Sequence, residues 1–414
     1  MYIMNYIDLF AGAGGLSEGF RQNGFNPIAH VELDTSACLT LKTREAYYYL
    51  KENNKLEIYY SYLQGLITRE EFYSFIPQSV FTSIINLPIG DEYNPQIFDI
   101  IDRQLGQIQG EVDIIIGGPP CQAYSLVGRA TDKNKMKNDA RNYLYQYYAL
   151  YLERYRPKIF VFENVTGLFS AGEGQHFRDM KKRFLEAGYT IGYKILKAED
   201  FGVLQQRRRV ILIGWRNELE LTYPEFDRFE LRATINELFE DLPCLRAGDT
   251  PGVCKYTKAP NPYLIASGIR DFVDFVSLEI TRRHNKRDLK IYDLASRLFY
   301  QEGERLDYSK VPEELKTHKN QSCFLDRYKV VNGYGLSHTL LAHIAKDGHY
   351  YIHPDPAQNR SISVREAARI QSFPDNYFFE GGRTAAFKQI GNAVPPLMAK
   401  GIAHQIYGLL NNIH

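Results

Sequence analysis

Residues 5–33 read NYIDLFAGAGGLSEGFRQNGFNPIAHVEL, and their order decides the fold. Asn5–Phe10 is a short β-prone run, Ala11–Gly15 a glycine-rich turn, and Leu16–Asn23 a helix ended at Gly24. Ile28–Leu33 is a second strand. Strand, helix and strand within about 30 residues form a parallel βαβ unit. Further buried strands are expected at Val112–Ile116, Ile159–Phe162 and Val210–Gly214, with helices around Tyr143–Arg154 and His176–Ala187. Thr190–Leu196 and Val210–Gly214 suit a hairpin at one sheet edge. After Trp215 the alternation stops. Helical periodicity returns at Val364–Gln371 and again after Ala386 as far as about Leu410. The expected organisation is an α/β domain of residues 1–216 plus 356–414, interrupted by a smaller, irregular module at 217–355. A Tyr-rich insertion spans about 42–98, with six tyrosines between Tyr47 and Tyr62. Those rings serve either as stacking platforms for bases or as the buried faces of a helical insertion.

Composition bounds the function. The chain has 414 residues, which exceeds one small core. Apolar residues make up 44% and charged residues 24%, the balance of a folded globular protein. Five scattered cysteines contain no C-x-x-C pair, against a zinc ribbon or a disulfide framework. Apolar runs are too short for a membrane span, and residues 1–10 lack the features of a signal peptide, so a cytoplasmic location is expected. His338, His343, His349 and His353 lie close in sequence, but no supporting Cys or carboxylate spacing accompanies them, and no metal is expected.

Chemistry concentrates at the ends of the expected strands. The Gly12, Gly14 and Gly15 turn allows backbone to approach a ligand, and Glu32 is placed to accept both ribose hydroxyls of a nucleoside. The dinucleotide fingerprint fits poorly, because its third glycine position is Ser17. Gly117-Gly118-Pro119-Pro120-Cys121-Gln122 follows directly on a strand. Two prolines fix the exit of the chain and present Cys121 at the sheet edge, either as a nucleophile or as a buried structural thiol. Glu163, in Phe162-Glu163-Asn164-Val165, stands beside Cys121 if the two strands are neighbours. Gln205-Gln206-Arg207-Arg208-Arg209 is a cluster suited to a phosphate or a base carbonyl, or simply a solvated loop.

Taken in order, DLFAGAGGLSEGF (8–20), VELD (31–34), GGPPCQ (117–122), ARN (140–142), FENV (162–165), QQRRRV (205–210), REAARIQSFPD (365–375) and QIGNAVPP (389–396) resemble the blocks of the DNA (cytosine-5)-methyltransferase family of bacterial and phage type. The resemblance covers residues 5–216 and about 358–410. It implies an α/β S-adenosylmethionine-dependent methyltransferase fold, Rossmann-like with a mixed sheet, and a smaller, irregular target-recognition domain.

The resemblance also implies roles. Cys121 matches the thiolate that adds to carbon 6 of cytosine and makes carbon 5 nucleophilic. Glu163 matches the proton donor toward N3, and Arg207 the arginine that contacts the cytosine carbonyl and places that carboxyl. Arg209 and Gln205 match supporting positions. The implied cofactor is S-adenosyl-L-methionine, with Phe10, Gly12, Gly14, Gly15 and Leu16 around its methionine part and Glu32 on the ribose. Pro119 flanks the site, and Asn392 and Ala393 complete it from the C-terminal return. The family's adenine-binding Asp has no clear match; Asn86 and Asp91 both stand near the place.

The implied partner is double-stranded DNA with the target base flipped out. Residues 129–141 carry a local charge of +3 and 282–290 one of +4, while 217–241 carries −6, so the overall +1 is a cancellation between segments. Gln122, Ser125, Arg129 and Arg141 are candidates to reach DNA from the loop after the nucleophile, and Arg282, Arg283 and Arg287 from the recognition module. The expected enzyme is a monomer that methylates a short sequence, with a cognate restriction endonuclease as a functional partner. Rival readings are a transfer-RNA methyltransferase, a catalytically silent DNA-binding regulator and, more distantly, a nicotinamide-dependent oxidoreductase.

Overall fold

A computed structural model of the chain describes residues 3–120, 143–271, 273–317 and 324–413. Within them, β1 (Asn5–Leu9), α1 (Gly15–Gln22) and β2 (Asn26–Val31) form the opening βαβ unit. Next come α2 (Thr35–Glu52), α3 (Leu56–Leu63), α4 (Arg69–Ser74), β3 (Ile84–Ile85), α5 (Asn94–Ile108) and β4 (Ile114–Gly117). Beyond residue 142 lie α6 (Leu144–Tyr155), β5 (Ile159–Asn164), α7 (Gln175–Glu186), β6 (Tyr189–Lys197), β7 (Gln205–Gln206) and β8 (Arg208–Arg216). Seven strands join in the order β3-β2-β1-β4-β5-β8-β6. The first five are mutually parallel, whereas β8 runs antiparallel to both β5 and β6. The expected hairpin of residues 190–214 closes one edge of the sheet.

The period-2 alternation of the strands builds two cores. Ile115, Phe160, Phe162 and Leu212 point to one face, with Tyr148 and Phe184 from the helices covering it. Ile114, Ile116, Val161, Ile211 and Ile213 point to the other. That second face is covered by α1 and by the last helix of the chain, Pro396–Asn411. The approach of these two helices needs a glycine: a Cβ on Gly19 would sit 2.3 Å from the Ala399 carbonyl carbon.

The remaining elements are α8 (Ile235–Phe239), β9 (Gly252–Lys255), α9 (Pro262–Ala266), β10 (Phe275–Glu279), α10 (Lys286–Glu302), β11 (Ser337–His338), α11 (Val364–Ile370), α12 (Gly382–Asn392) and α13 (Pro396–Asn411). The helical periodicity expected after Ala386 as far as about Leu410 is carried by two helices. Ala393 ends α12 in extended backbone, and Pro395 and Pro396, which lack N–H donors, restart the chain as α13. Ile352 makes two isolated bridges, parallel to Val330 and antiparallel to Ser361. One further core combines Ile235, Leu238, Tyr263 and Val276 with Ile362, Val364, Phe373, Phe387 and Ile390. The segment 362–393 therefore packs with the irregular module, and the chain rejoins the sheet's core at Val394.

The Tyr-rich helices bury their rings. Tyr47, Tyr48 and Tyr59 are buried, and Tyr62 stacks on Phe72 at 4.6 Å between centroids. Tyr60 meets Phe275 and Tyr62 meets Phe378, so the insertion braces the two halves of the molecule. Beneath the glycine turn, Arg44 of α2 donates from Nε to Glu18 of α1 at 2.8 Å and from Nη1 to Asn376 Oδ1 at 2.8 Å.

His30 on β2 is fully enclosed, with Asp8 Oδ2 at 3.8 Å and Glu45 Oε1 at 3.6 Å. Burial opposes its charge, yet the two carboxylates outweigh burial and lift its pKa to about 9. A group raised in the folded state stabilises fully below its unfolded pKa near 6.5 and loses that contribution as pH rises through about 9. Thermal melts of the wild type should therefore fall between pH 6.5 and 9 more steeply than those of His30→Gln; equal slopes would remove the buried cation.

Candidate active site

The parallel strands β1, β2, β4 and β5 end on one edge of the sheet, and the expected site residues lie there. Gly12 and Gly14 both take positive φ, 56° and 75°, as the turn from β1 into α1 requires. A Cβ on Gly12 would meet nothing within 4 Å, so the space over this turn is open to a ligand. The Gly12 N–H donates to Glu32 Oε2 at 2.8 Å, and the Asp34 N–H donates to Glu32 Oε1 at 2.7 Å. Burial raises the Glu32 pKa, and these backbone donors act against it. Gly15 abuts the C-terminal return: its Cβ would lie 2.3 Å from Val394 O and 3.0 Å from Ala393 Cβ. Phe10 is half-buried beside the turn, and Asn392 is exposed. The Leu16 side chain packs in the core with Phe20 and Met398 and supports the turn from beneath.

Of the two candidates beyond β3, Asn86 reaches the segment that follows β2. Its Nδ2 donates to the carbonyls of Glu32 and Leu33 at 3.0 and 2.9 Å. Asp91 instead pairs with Tyr147 of α6.

On the neighbouring strand, Gly117 and Gly118 fit where side chains cannot. A Cβ on Gly117 would meet Leu9 O at 2.2 Å, and one on Gly118 would meet Glu163 Oε2 at 2.7 Å. β4 and β5 pair in parallel with Gly117 opposite Phe162, so the Glu163 carboxylate lies against the start of the Gly118-Pro119-Pro120 exit. Pro119 is buried and Pro120 exposed. Cys121, Gln122, Ser125, Arg129 and Arg141 lie outside the described residues. Among the described cysteines, Cys38 sits near the cofactor turn, but burial pushes its thiol up to about 12, far from a nucleophile's range.

The arginines divide differently from expectation. Arg209, not Arg207, meets the carboxylate, with Nε 2.7 Å from Glu163 Oε1. Glu163 pairs across the sheet with Ile211, and Arg209 shares that face two residues away on β8. Arg207 lies at the break between β7 and β8 and turns inward. It is buried and donates to Leu340 O at 2.9 Å and to Ala393 O at 3.0 Å. Gln205, also buried, accepts from Leu340 N at 2.8 Å and donates to Gln371 Oε1 at 2.7 Å. An open cleft of about 460 Å3 adjoins Arg209, lined also by Thr166, Glu199, Gln206, Arg208 and Thr339. Thr339 was invisible to sequence reasoning, since it reaches the cleft only through the pairing of β11 with β7.

Arg282 also departs from its expected place on DNA. Its guanidinium donates to the carbonyls of Ile344, Ala345 and Lys346 at 3.0, 3.1 and 2.9 Å, ending the 3-10 turn Ala342–Ala345. Arg283 is exposed and Arg287 half-buried.

The family model for C-5 cytosine-specific DNA methylases matches residues 4–60 and 86–408. The chain belongs to that family. This DNA cytosine-5 methyltransferase is 41% identical over 448 residues to a type II methyltransferase of Bacillus paralicheniformis, covering 99% of this chain and 100% of that one. It is 32% identical over 435 residues to a type II methyltransferase of Desulfomicrobium norvegicum, covering 99% and 90%. A solved structure described as a DNA modification methyltransferase encoded within a prophage of E. coli has the same fold, with a TM-score of 0.65 at 22% identity over 99% of both chains. The family model passes over residues 61–85 of this methyltransferase, the part of the Tyr-rich insertion that holds α4.

The two arginines of this methyltransferase predict separable defects. Arg207→Ala should strip donors from two buried carbonyls, each orphan costing about 1–3 kcal/mol, and lower the denaturation midpoint. Arg209→Ala should keep most of the stability but lower kcat by about a hundredfold or more. Denaturant unfolding and single-turnover kinetics on the two variants check this; the opposite pattern would reverse the assignment.

Proposed function

We propose that this methyltransferase modifies carbon 5 of a cytosine within a short specific sequence of duplex DNA, through a covalent adduct on a flipped-out base. The observation that carries the reading is the Glu163–Arg209 pair set against the Gly118-Pro119-Pro120 exit that leads directly into Cys121. Carbon 5 of cytosine is a weak nucleophile. A thiolate from Cys121 adding at carbon 6 gives the ring enamine character, while Glu163 supplies a proton at N3 and Arg209 balances the charge on that carboxyl and at the base carbonyl. Removal of the carbon-5 proton then lets Cys121 leave, so the enzyme turns over.

The cofactor edge fits S-adenosylmethionine, which supplies the methyl group when bound. Open space over Gly12 admits a ligand against the backbone, and the Glu32 carboxylate, fixed by two N–H donors, is ready for ribose hydroxyls. Leu33, 66% exposed, offers an apolar surface for a base, and Asn86 stands beside it. Ala393 and Asn392 close the methionine end. On the substrate side, the polar cleft that includes Gln206, Arg208 and Thr339 suits the displaced nucleotide. Arg283, Lys286, Arg287 and Lys290 suit phosphates, with residues 217–355 as the recognition module. Gln122, Ser125, Arg129 and Arg141 are proposed to reach DNA from the other side. A monomer that protects its own sequence from a cognate endonuclease is the proposed biological setting, by analogy with the type II methyltransferases it resembles.

Methyl-labelled S-adenosylmethionine incubated with duplex DNA and with transfer RNA tests the reading. Label is expected at cytosine carbon 5 of a recurrent sequence in DNA alone; labelling of transfer RNA alone would replace the substrate class. In the same assay Glu32→Ala should raise the KM for S-adenosylmethionine by about tenfold or more, the loss of hydrogen bonds to a charged group.

A further inference from the structure

Four histidines between residues 338 and 353 carry no metal signature in sequence, and two of them are spent on other partners. His338 Nε2 lies 2.6 Å from Tyr350 O, and His353 Nε2 lies 3.2 Å from Glu366 Oε1. His349 is different, because the fold brings it to residues about 60 positions earlier in the chain. His284 stands just before α10, whose N-cap is Asn285, and Asp288 lies in the first turn of that helix. One donor atom each from His284, Asp288 and His349 lie within 4.8 Å of one another.

We propose that His284, Asp288 and His349 bind one divalent transition-metal ion of the zinc, cobalt or nickel class, pinning the start of α10 to the turn at 346–350. The donor chemistry selects that class. Two imidazoles with one carboxylate suit borderline cations, whereas magnesium and calcium take oxygen ligands. Ligand histidines are oriented by a second hydrogen bond on the ring, and both rings have one. Ser361 Oγ lies 2.9 Å from His284 Nε2, and the Tyr292 hydroxyl lies 2.8 Å from His349 Nδ1. The same hydroxyl is 3.4 Å from His284 Nδ1, so it stands between the rings. Asn285 Nδ2 donates to Asp288 Oδ2 at 2.8 Å and orients the carboxylate.

The surrounding charges bear on affinity. Arg287 meets Asp288 Oδ1 at 3.3 Å, a long contact that an ion must displace. Arg282 spends its Nη donors on the 344–346 carbonyls, and Asp347 accepts from the backbone N–H of His349 at 3.0 Å and adds a nearby carboxylate. Bound there, the ion fixes the basic strip of Arg283, Lys286 and Lys290 to the segment that continues back to Thr339 at the cleft. The site is separate from Glu163 and from the glycine turn, and the proposal does not depend on which DNA sequence is methylated.

Tag-free full-length protein, stripped of metal, is titrated with Zn2+ by calorimetry and with Co2+ by visible absorption. One ion per chain is expected, with the absorption of four-coordinate cobalt and a rise in melting temperature. The His284→Ala/His349→Ala double variant should bind none at this site, His343→Ala should bind as the wild type does, and Tyr292→Phe should bind about 10- to 100-fold more weakly. Should the double variant fail to fold, Asp288→Asn replaces it with the same expected loss. Absence of binding by the wild type, or an unchanged cobalt spectrum in the folded double or Asp288→Asn variant, overturns the proposal.

Discussion

A single buried guanidinium ties the molecule together. Arg207, 1% exposed, holds Leu340 O with one nitrogen and Ala393 O with another, while Gln205 beside it holds Leu340 N and Gln371. Leu340 follows Thr339 of the cleft, and Ala393 lies against Gly15 of the glycine turn. Residues 205–207 belong to the chain that enters β8 and delivers Arg209 to Glu163. A buried arginine is costly unless each hydrogen-bonding group finds an acceptor. The three segments therefore converge on this side chain, which links the cleft, the glycine turn and the carboxylate.

The same economy governs the REAARI helix, α11. Arg365, Glu366 and Arg369 are all buried there. Arg369 donates from Nε to Asp375 Oδ1 at 3.0 Å and from Nη1 to Asp241 Oδ1 at 2.6 Å, while Arg360 donates from Nη1 to Glu366 Oε2 at 2.7 Å. Removing one partner of such a pair strands a charge in the core and is strongly destabilising. These charges hold residues 360–375 to one another and to Asp241 of the irregular module, and leave the exposed strip of Arg283, Lys286 and Lys290 as the basic surface proposed for DNA.

Much of this was legible in the sequence. The opening strand, glycine turn and helix follow from Asn5–Gly24, and the alternation of Ile114–Ile116 and Ile159–Phe162 already encodes the two faces of the sheet. The carboxylate at Glu163 was legible because it ends an apolar strand. Arg207 was expected in the place beside the carboxylate that Arg209 occupies, because their fates depend on an interruption between β7 and β8 that leaves no local signal. Arg282 read as a DNA contact since a run of cations looks solvated in sequence; the carbonyls it binds lie some 60 residues further along the chain. The link of Asn86 to the segment that follows β2, the role of Thr339 and the convergence of His284 with His349 are likewise products of long-range contact, which periodicity and spacing do not carry.

The central claim is that a thiolate emerging from the Gly118-Pro119-Pro120 exit attacks a cytosine held by Glu163 and Arg209. A duplex carrying 5-fluorocytosine at the methylated position tests it most directly, because fluorine at carbon 5 blocks release of the nucleophile. Incubation with S-adenosylmethionine followed by denaturing electrophoresis and peptide mass spectrometry should yield a stable protein–DNA adduct on Cys121, absent in Cys121→Ala although that variant still binds the duplex. An adduct on another residue, or one that survives Cys121→Ala, would contradict the account.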